Sequence, residues 1–340
     1  MIEIRENTVV VTGDFDGCLP VRVLQNNVLE FFLTANSRAV PEWEDMVTHC
    51  RISREILLDV VPSAVRAPSM NYGTQQIEIQ EAFEGALWAT SYGPMILHDC
   101  WATQCGNGRQ IDSLNDSDPQ VKDALGLLAY AEALFRRFHP WPGLFPNPEN
   151  YPVEKKDAVE KANNLYVSAA AFSLAHEFSH VCLGHGDASY HSLLKKAHTN
   201  PAKLTPDEIA LLKQRENDAD RNAVSHFLSE LDSDSEKTVH LFGILITYLC
   251  LLIGTRDCSQ LESLTHPDLG TRILNILSCD ILDEGFRDSL RGAAILALAV
   301  AFAWPTLPSL EALTDYHPKI PLRVYTADGA LIGEYGEERR

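Results

Sequence analysis

The chain is poor in positive charge. Its 340 residues carry 28 lysines and arginines against 47 aspartates and glutamates, a net charge of −19. Binding to a phosphate backbone needs a basic surface, so nucleic acid is excluded as an expected partner. Cysteine pairing is also missing. Eight cysteines are present, yet no two form a CxxC pair, and the closest are Cys100 and Cys105. That spacing argues against a cysteine-built metal site and against a disulfide framework, and it fits reduced thiols in a cytoplasmic setting. No basic start followed by an apolar run opens the sequence, so no signal peptide is expected. The two most apolar stretches, Val239–Gly254 and Gly292–Trp304, fall short of the roughly 20 residues of a spanning helix. Membrane association is therefore an alternative and not the favoured reading.

With 45% hydrophobic and 22% charged residues, the chain can build a packed core. The expected fold class is α+β, predominantly α-helical. Three regions are expected: a mixed α/β part over 1–115 without a chemistry-bearing motif, a catalytic domain over 116–290, and a tail over 291–340. Thr8–Thr12 is β-branched and stops at Gly13, as a strand does. Val21–Thr34 and Glu42–Val61 read as helical, and Tyr72–His98 is ambiguous. Asp118 and Pro119 begin a helix that should reach Phe138. The five prolines in residues 139–152 then enforce a stiff connector. A long helix over about 157–183 should end at Gly184. Thr205-Pro206-Asp207-Glu208 is a capping box that opens another, to about Leu231.

The first of these two helices contains HEFSH, residues 176–180. Histidines four apart share a helix face, so His176 and His180 can reach one ion, and Glu177 stands beside it to take a proton from water. Imidazole ligands with one carboxylate and a position left for water suit zinc. His185 is off the spacing of a third histidine ligand. Glu216, on the capped helix, is the candidate third ligand, and Asp220 lies four residues on, where it can fix a ligand histidine's tautomer. Tyr248 is a lesser candidate for holding a developing oxyanion.

HEFSH followed by ENDAD resembles the gluzincin pattern of HExxH plus ExxxD. The longer strings LAHEFSHVCLGH and ENDADRNAVSHFL are similar to small intracellular gluzincins, the ImmA/IrrE-type regulatory peptidases and the Lit-type phage-exclusion peptidases. The proline- and tryptophan-rich connector and the alanine-rich approach to HEFSH favour the Lit-like group. The resemblance implies a zincin-like core, with an HExxH helix and an ExxxD helix, that binds Zn2+ and hydrolyses peptide bonds of a protein target. It also implies a role in phage exclusion or stress response. THPDLGTRILNIL, residues 265–277, is similar to the HP…RI segment of CAAX-type and HtpX-type peptidases. That likeness implies a place for His266 near the reacting carbonyl and a supporting role for Arg272. Alternatives are a regulatory binding protein on the same fold and a membrane-associated envelope protein. Residues 307–340 resemble the segment after the membrane anchor of class A penicillin-binding proteins, and Leu322–Tyr325 with Leu331–Tyr335 reads as a β-hairpin around Ala327-Asp328-Gly329.

Overall fold

The computed structural model describes residues 2–5, 8–11, 17–105, 114–115, 117–231, 233–255, 266–278, 322–325 and 331–335. It is predominantly helical with a small mixed sheet, an α+β architecture. Five short strands, β1 (Ile2–Arg5), β2 (Thr8–Val11), β3 (Glu55–Asp59), β4 (Ser69–Asn71) and β5 (Gln76–Gln80), are ordered β2-β1-β3-β5-β4. β3 and β5 run parallel, and the other neighbours are antiparallel. Both β3 and β5 alternate buried and half-buried residues, with Ile56, Leu58, Ile77 and Ile79 turned to the core. The helical reading of 42–61 is thus wrong in its second half. Helix α2 ends at Thr48, and Cys50, at φ 54°, begins the departure into β3. Local pattern does not decide so short an apolar run, and its sheet partners do.

Among the described residues the α-helices are α1 (Gln25–Thr34), α2 (Ala39–Thr48), α3 (Glu81–Cys105), α4 (Pro119–Arg136), α5 (Lys156–Cys182), α6 (Ala188–Thr199), α7 (Pro206–Leu228), α8 (Asp234–Gly254) and α9 (Leu269–Leu277). Asp118 caps α4 by accepting from the Gln120 N–H, and the helix stops at Arg136, ahead of His139-Pro140. The HEFSH helix, α5, lies at the centre and packs against α1, α3, α7 and α8. It is buried almost all round from Ser168 to Val181, as a helix enclosed on every side must be. Its alanines let neighbours come close. A Cβ on Gly243 of α8 would stand 2.4 Å from Ser168 Oγ, so glycine is what permits that crossing. The capping box of α7 forms in full, with Glu208 N–H donating to Thr205 Oγ1 and Thr205 N–H to Glu208 Oε2.

The apolar stretch read as too short to span is longer in the structure: over Glu236–Gly254, α8 is long and apolar enough to cross a membrane by length and composition, and 56% of its most apolar part is buried inside the fold. The chain divides into two compact units, Met1–Thr306 and Leu307–Arg340. In the second unit, β6 (Leu322–Tyr325) and β7 (Leu331–Tyr335) pair antiparallel, with a register irregularity at Val324/Tyr325. The expected turn residues, 327–329, and the apolar stretch 292–304 lie outside the described residues.

Candidate metal centre

Helices α5 and α7 cross so that three side chains four residues or a helix apart meet in one buried cluster. His176 Nε2 stands 3.2 Å from His180 Nε2. Glu216 reaches both, with Oε2 at 3.4 Å from His176 Nε2 and Oε1 at 3.6 Å from His180 Nε2. All three residues are buried, and their ligand atoms lie within 4.8 Å of one another, a set that could hold a metal ion. Glu216 Oε2 is a buried acceptor with no hydrogen bond of its own. His176 and His266 stand 3.4 Å from it and Arg272 Nη2 3.8 Å, at ion-pair range, and a bound cation would complete it directly. Nitrogen and oxygen ligands about 2.05 Å from a tetrahedral ion stand about 3.3 Å apart, so the observed spacings fit such an ion.

Asp220, one turn beyond Glu216, is where the surrounding charges meet. Arg272 from α9 grips it with two hydrogen bonds, Nε to Oδ2 at 2.7 Å and Nη2 to Oδ1 at 2.6 Å. Tyr248 from α8 donates its hydroxyl to Oδ1 at 2.8 Å, and the Arg272 guanidinium lies 5.0 Å above the Tyr248 ring. The Tyr248 hydroxyl is thus occupied in holding Asp220. His176 Nδ1 sits 2.9 Å from the same Oδ1 but off the line of an ideal bond, so the contact is first an electrostatic one. Burial alone would push Asp220 up, but Arg272 and His176 hold it well below the usual carboxylate range. Burial likewise opposes charge on His176, yet Asp220 and Glu216 hold its pKa at about 10. Burial and the nearby His176 drive His180 down to about 3. For Glu216 burial again raises and the histidines outweigh it, leaving about 2.

Glu177 Oε1 lies 4.0 Å from His176 Nε2. Burial raises its pKa to about 7, against the pull of His176, and the Met70 backbone N–H hydrogen-bonds the carboxylate. Met70 belongs to β4, one of the two edge strands of the sheet, so this edge borders the cluster. A cavity of about 80 Å³ opens here. Its polar side includes His176, Glu177, Glu216, His266 and Arg272, and its apolar side includes Pro68, Phe83, Phe172 and Leu251. His266 is half-exposed, with Nε2 3.4 Å from Glu216 Oε2.

The structure therefore brings together the residues singled out from the sequence, His176, Glu177, His180, Glu216, Asp220, His266 and Arg272, with Tyr248 beside them but bonded to Asp220. Sequence reasoning missed the contribution of residues 17–105, in which it saw no chemistry. Pro68, Met70 and Phe83 carry no motif and reach the site only through the sheet and α3. It also missed the ring contact between His180 and His185, whose Nδ1 atoms are 2.9 Å apart.

A family model described as Peptidase U49 matches residues 77–294, well over half of the chain. The chain belongs to the Peptidase U49 family. This is a Lit-like peptidase family, and membership supports a peptidase function. The Peptidase U49 span takes in α3 to α9, hence every residue of the cluster. Short matches of another kind also occur. Penicillin-binding protein 1A of Neisseria flavescens is 45% identical over 65 residues, 19% of this chain and 8% of that protein. Its namesake in Neisseria lactamica is 56% identical over 46 residues, 14% and 6% respectively. That of Pseudomonas aeruginosa is 52% identical over 42 residues, 12% and 5%. The chain thus spans less than a tenth of the length of these relatives. They agree in family with the resemblance read at residues 307–340. No solved structure matches the chain.

Proposed function

We propose that the protein is a zinc-dependent endopeptidase with a zincin-like core, acting on one or a few protein targets. The observation that carries the reading is the spacing of His176, His180 and Glu216 around a buried, unsatisfied carboxylate oxygen. Two imidazoles and one carboxylate are the donor set of zinc hydrolases that keep a coordination position open. In that position zinc would acidify a water and polarise the scissile carbonyl.

The chain's own residues divide the remaining work. Glu177, with a pKa near neutrality, takes the proton of the attacking water and returns it to the leaving amine. Asp220 orients His176, and Arg272 and Tyr248 keep Asp220 charged and in place. His266, beside Glu216 and half-exposed, would donate to the developing oxyanion. The target's backbone would lie extended along the edge strand β4, whose other side is taken by β5. Its action would lie in the cytoplasm, in phage exclusion or stress response, a reading supported only by the Lit-like kinship.

Metal content by mass spectrometry tests the reading, wild type beside His176→Ala and Glu216→Ala. One zinc per chain, lost in both variants, is the expected result. Wild-type protein without zinc, after purification free of chelators and addition of metal, would remove it. Cleavage itself is sought by labelling new amino termini in a proteome exposed to wild type or to Glu177→Gln.

A further inference from the structure

We infer that His185 is a positioning residue for the metal ligand His180, an inference that rests on the proposed metal centre. The His180 ring turns Nε2 toward Glu216 and His176, and turns Nδ1 toward Nδ1 of His185 at 2.9 Å. A neutral imidazole that offers its Nε2 lone pair to an ion carries its proton on Nδ1. His180 is then the donor and His185 Nδ1 the acceptor, which places the proton of His185 on its own Nε2. The contact fixes both the tautomer and the rotation of the His180 ring.

The chain is shaped to hold that contact. α5 ends at Cys182, and Gly184 turns the backbone at φ 70°. Gly184 N–H then donates to the Val181 carbonyl and His185 N–H to the His180 carbonyl, the paired bonds of a Schellman ending. His180 and His185 are thereby joined twice, through backbone and through rings. Arg215, the residue before Glu216, donates to the His185 carbonyl at 3.0 Å and to Asp187 Oδ2 at 3.1 Å. Its guanidinium lies 4.4 Å over the Tyr190 ring. One arginine on the Glu216 helix thus clasps the loop that orients His180. The two histidine ligands have unlike supports: a carboxylate for His176 and a neutral ring for His180. The second fixes a tautomer without adding negative charge to a cluster that already holds Glu177, Glu216 and Asp220.

His185→Leu keeps the bulk and removes the acceptor, whereas His185→Asn sets Oδ1 where Nδ1 stood. Zinc affinity is read by competition with a chelating dye. The expected result is a loss of about 10–100-fold in the leucine variant and recovery to near wild type in the asparagine variant. A second measurement needs no metal. In zinc-free wild type labelled with 15N-histidine, a nitrogen–nitrogen coupling through the hydrogen bond should join the two Nδ1 nuclei. This coupling and the asparagine variant decide the matter if the leucine variant does not fold. Equal affinity in wild type and His185→Leu, or no coupling, overturns the inference while the metal centre stands. Wild type that binds no zinc overturns both.

Discussion

Helix α5 buries polar side chains at two places, and the two are handled in opposite ways. Near its end, His176 and His180 meet Glu216, Asp220 and Arg272, and opposite charges hold one another ionised. Ten residues earlier, Tyr166 faces Glu84 of α3 and Gln25 of α1, with no cation in the cluster's own contacts. There burial pushes Glu84 up to about 8, and Gln25 and Tyr166 only temper the rise. Gln25 Nε2, Glu84 Oε2 and Tyr166 Oη make no hydrogen bond of good geometry. Glu84 and Asp220 are equally buried, so the presence of a counter-charge decides whether a buried carboxylate keeps its proton.

The sharpest way to separate the clusters is to remove the carboxylate that does the chemistry. Glu177→Gln should lower hydrolysis by about three orders of magnitude and leave zinc content and stability near wild type. Full activity in this variant would unseat Glu177 as the base. Breaking the charge pairing comes next. Arg272→Leu strands Asp220 in the interior and should cost roughly 3–5 kcal/mol of unfolding free energy, measured by urea titration. A loss below about 1 kcal/mol would mean that His176 and Tyr248 suffice to hold Asp220.

Glu84 makes a contrasting prediction, through pH. Its folded pKa of about 8 exceeds its ordinary value of 4.5, so the native state binds the extra proton. Its contribution to stability is full below the unfolded pKa and is lost as pH rises through the folded one. Stability should therefore fall between about pH 5 and 8, by at most about 1.4 kcal/mol per unit from this group. Glu84→Gln should remove this group's share of the slope without changing activity. Melting curves of the two proteins across this range, superimposed in slope, would show that the cluster does not titrate. The smallest effect is a control on α7. Thr205→Ala removes half of the capping box and should cost about 1 kcal/mol in melting experiments while zinc binding persists.

Much of the site was legible because helices carry their own geometry. A spacing of four puts His176 and His180 on one face, and Glu216 and Asp220 on another, without reference to anything distant. The capping box at Thr205 and the stop at Gly184 bounded those helices by local chemistry. The sheet was not legible in the same way. β3 lies in a stretch that reads as helix, and α6 has no strong start signal beyond Asp187, whose side chain accepts from the Tyr190 N–H. Strands of three to five residues draw their stability from partners far along the chain, so their own residues underdetermine them.

By itself, the sequence determined which residues could act on an ion and which helices would present them, because those relations span only four residues. Only the tertiary structure decided that α5 and α7 cross with Glu216 within 3.4 Å of His176, that Tyr248 serves Asp220, and that Met70 on an edge strand reaches Glu177. Each of those contacts joins residues 28 to 107 positions apart. Contacts of that kind are set by how buried surfaces pack, and no local pattern encodes them.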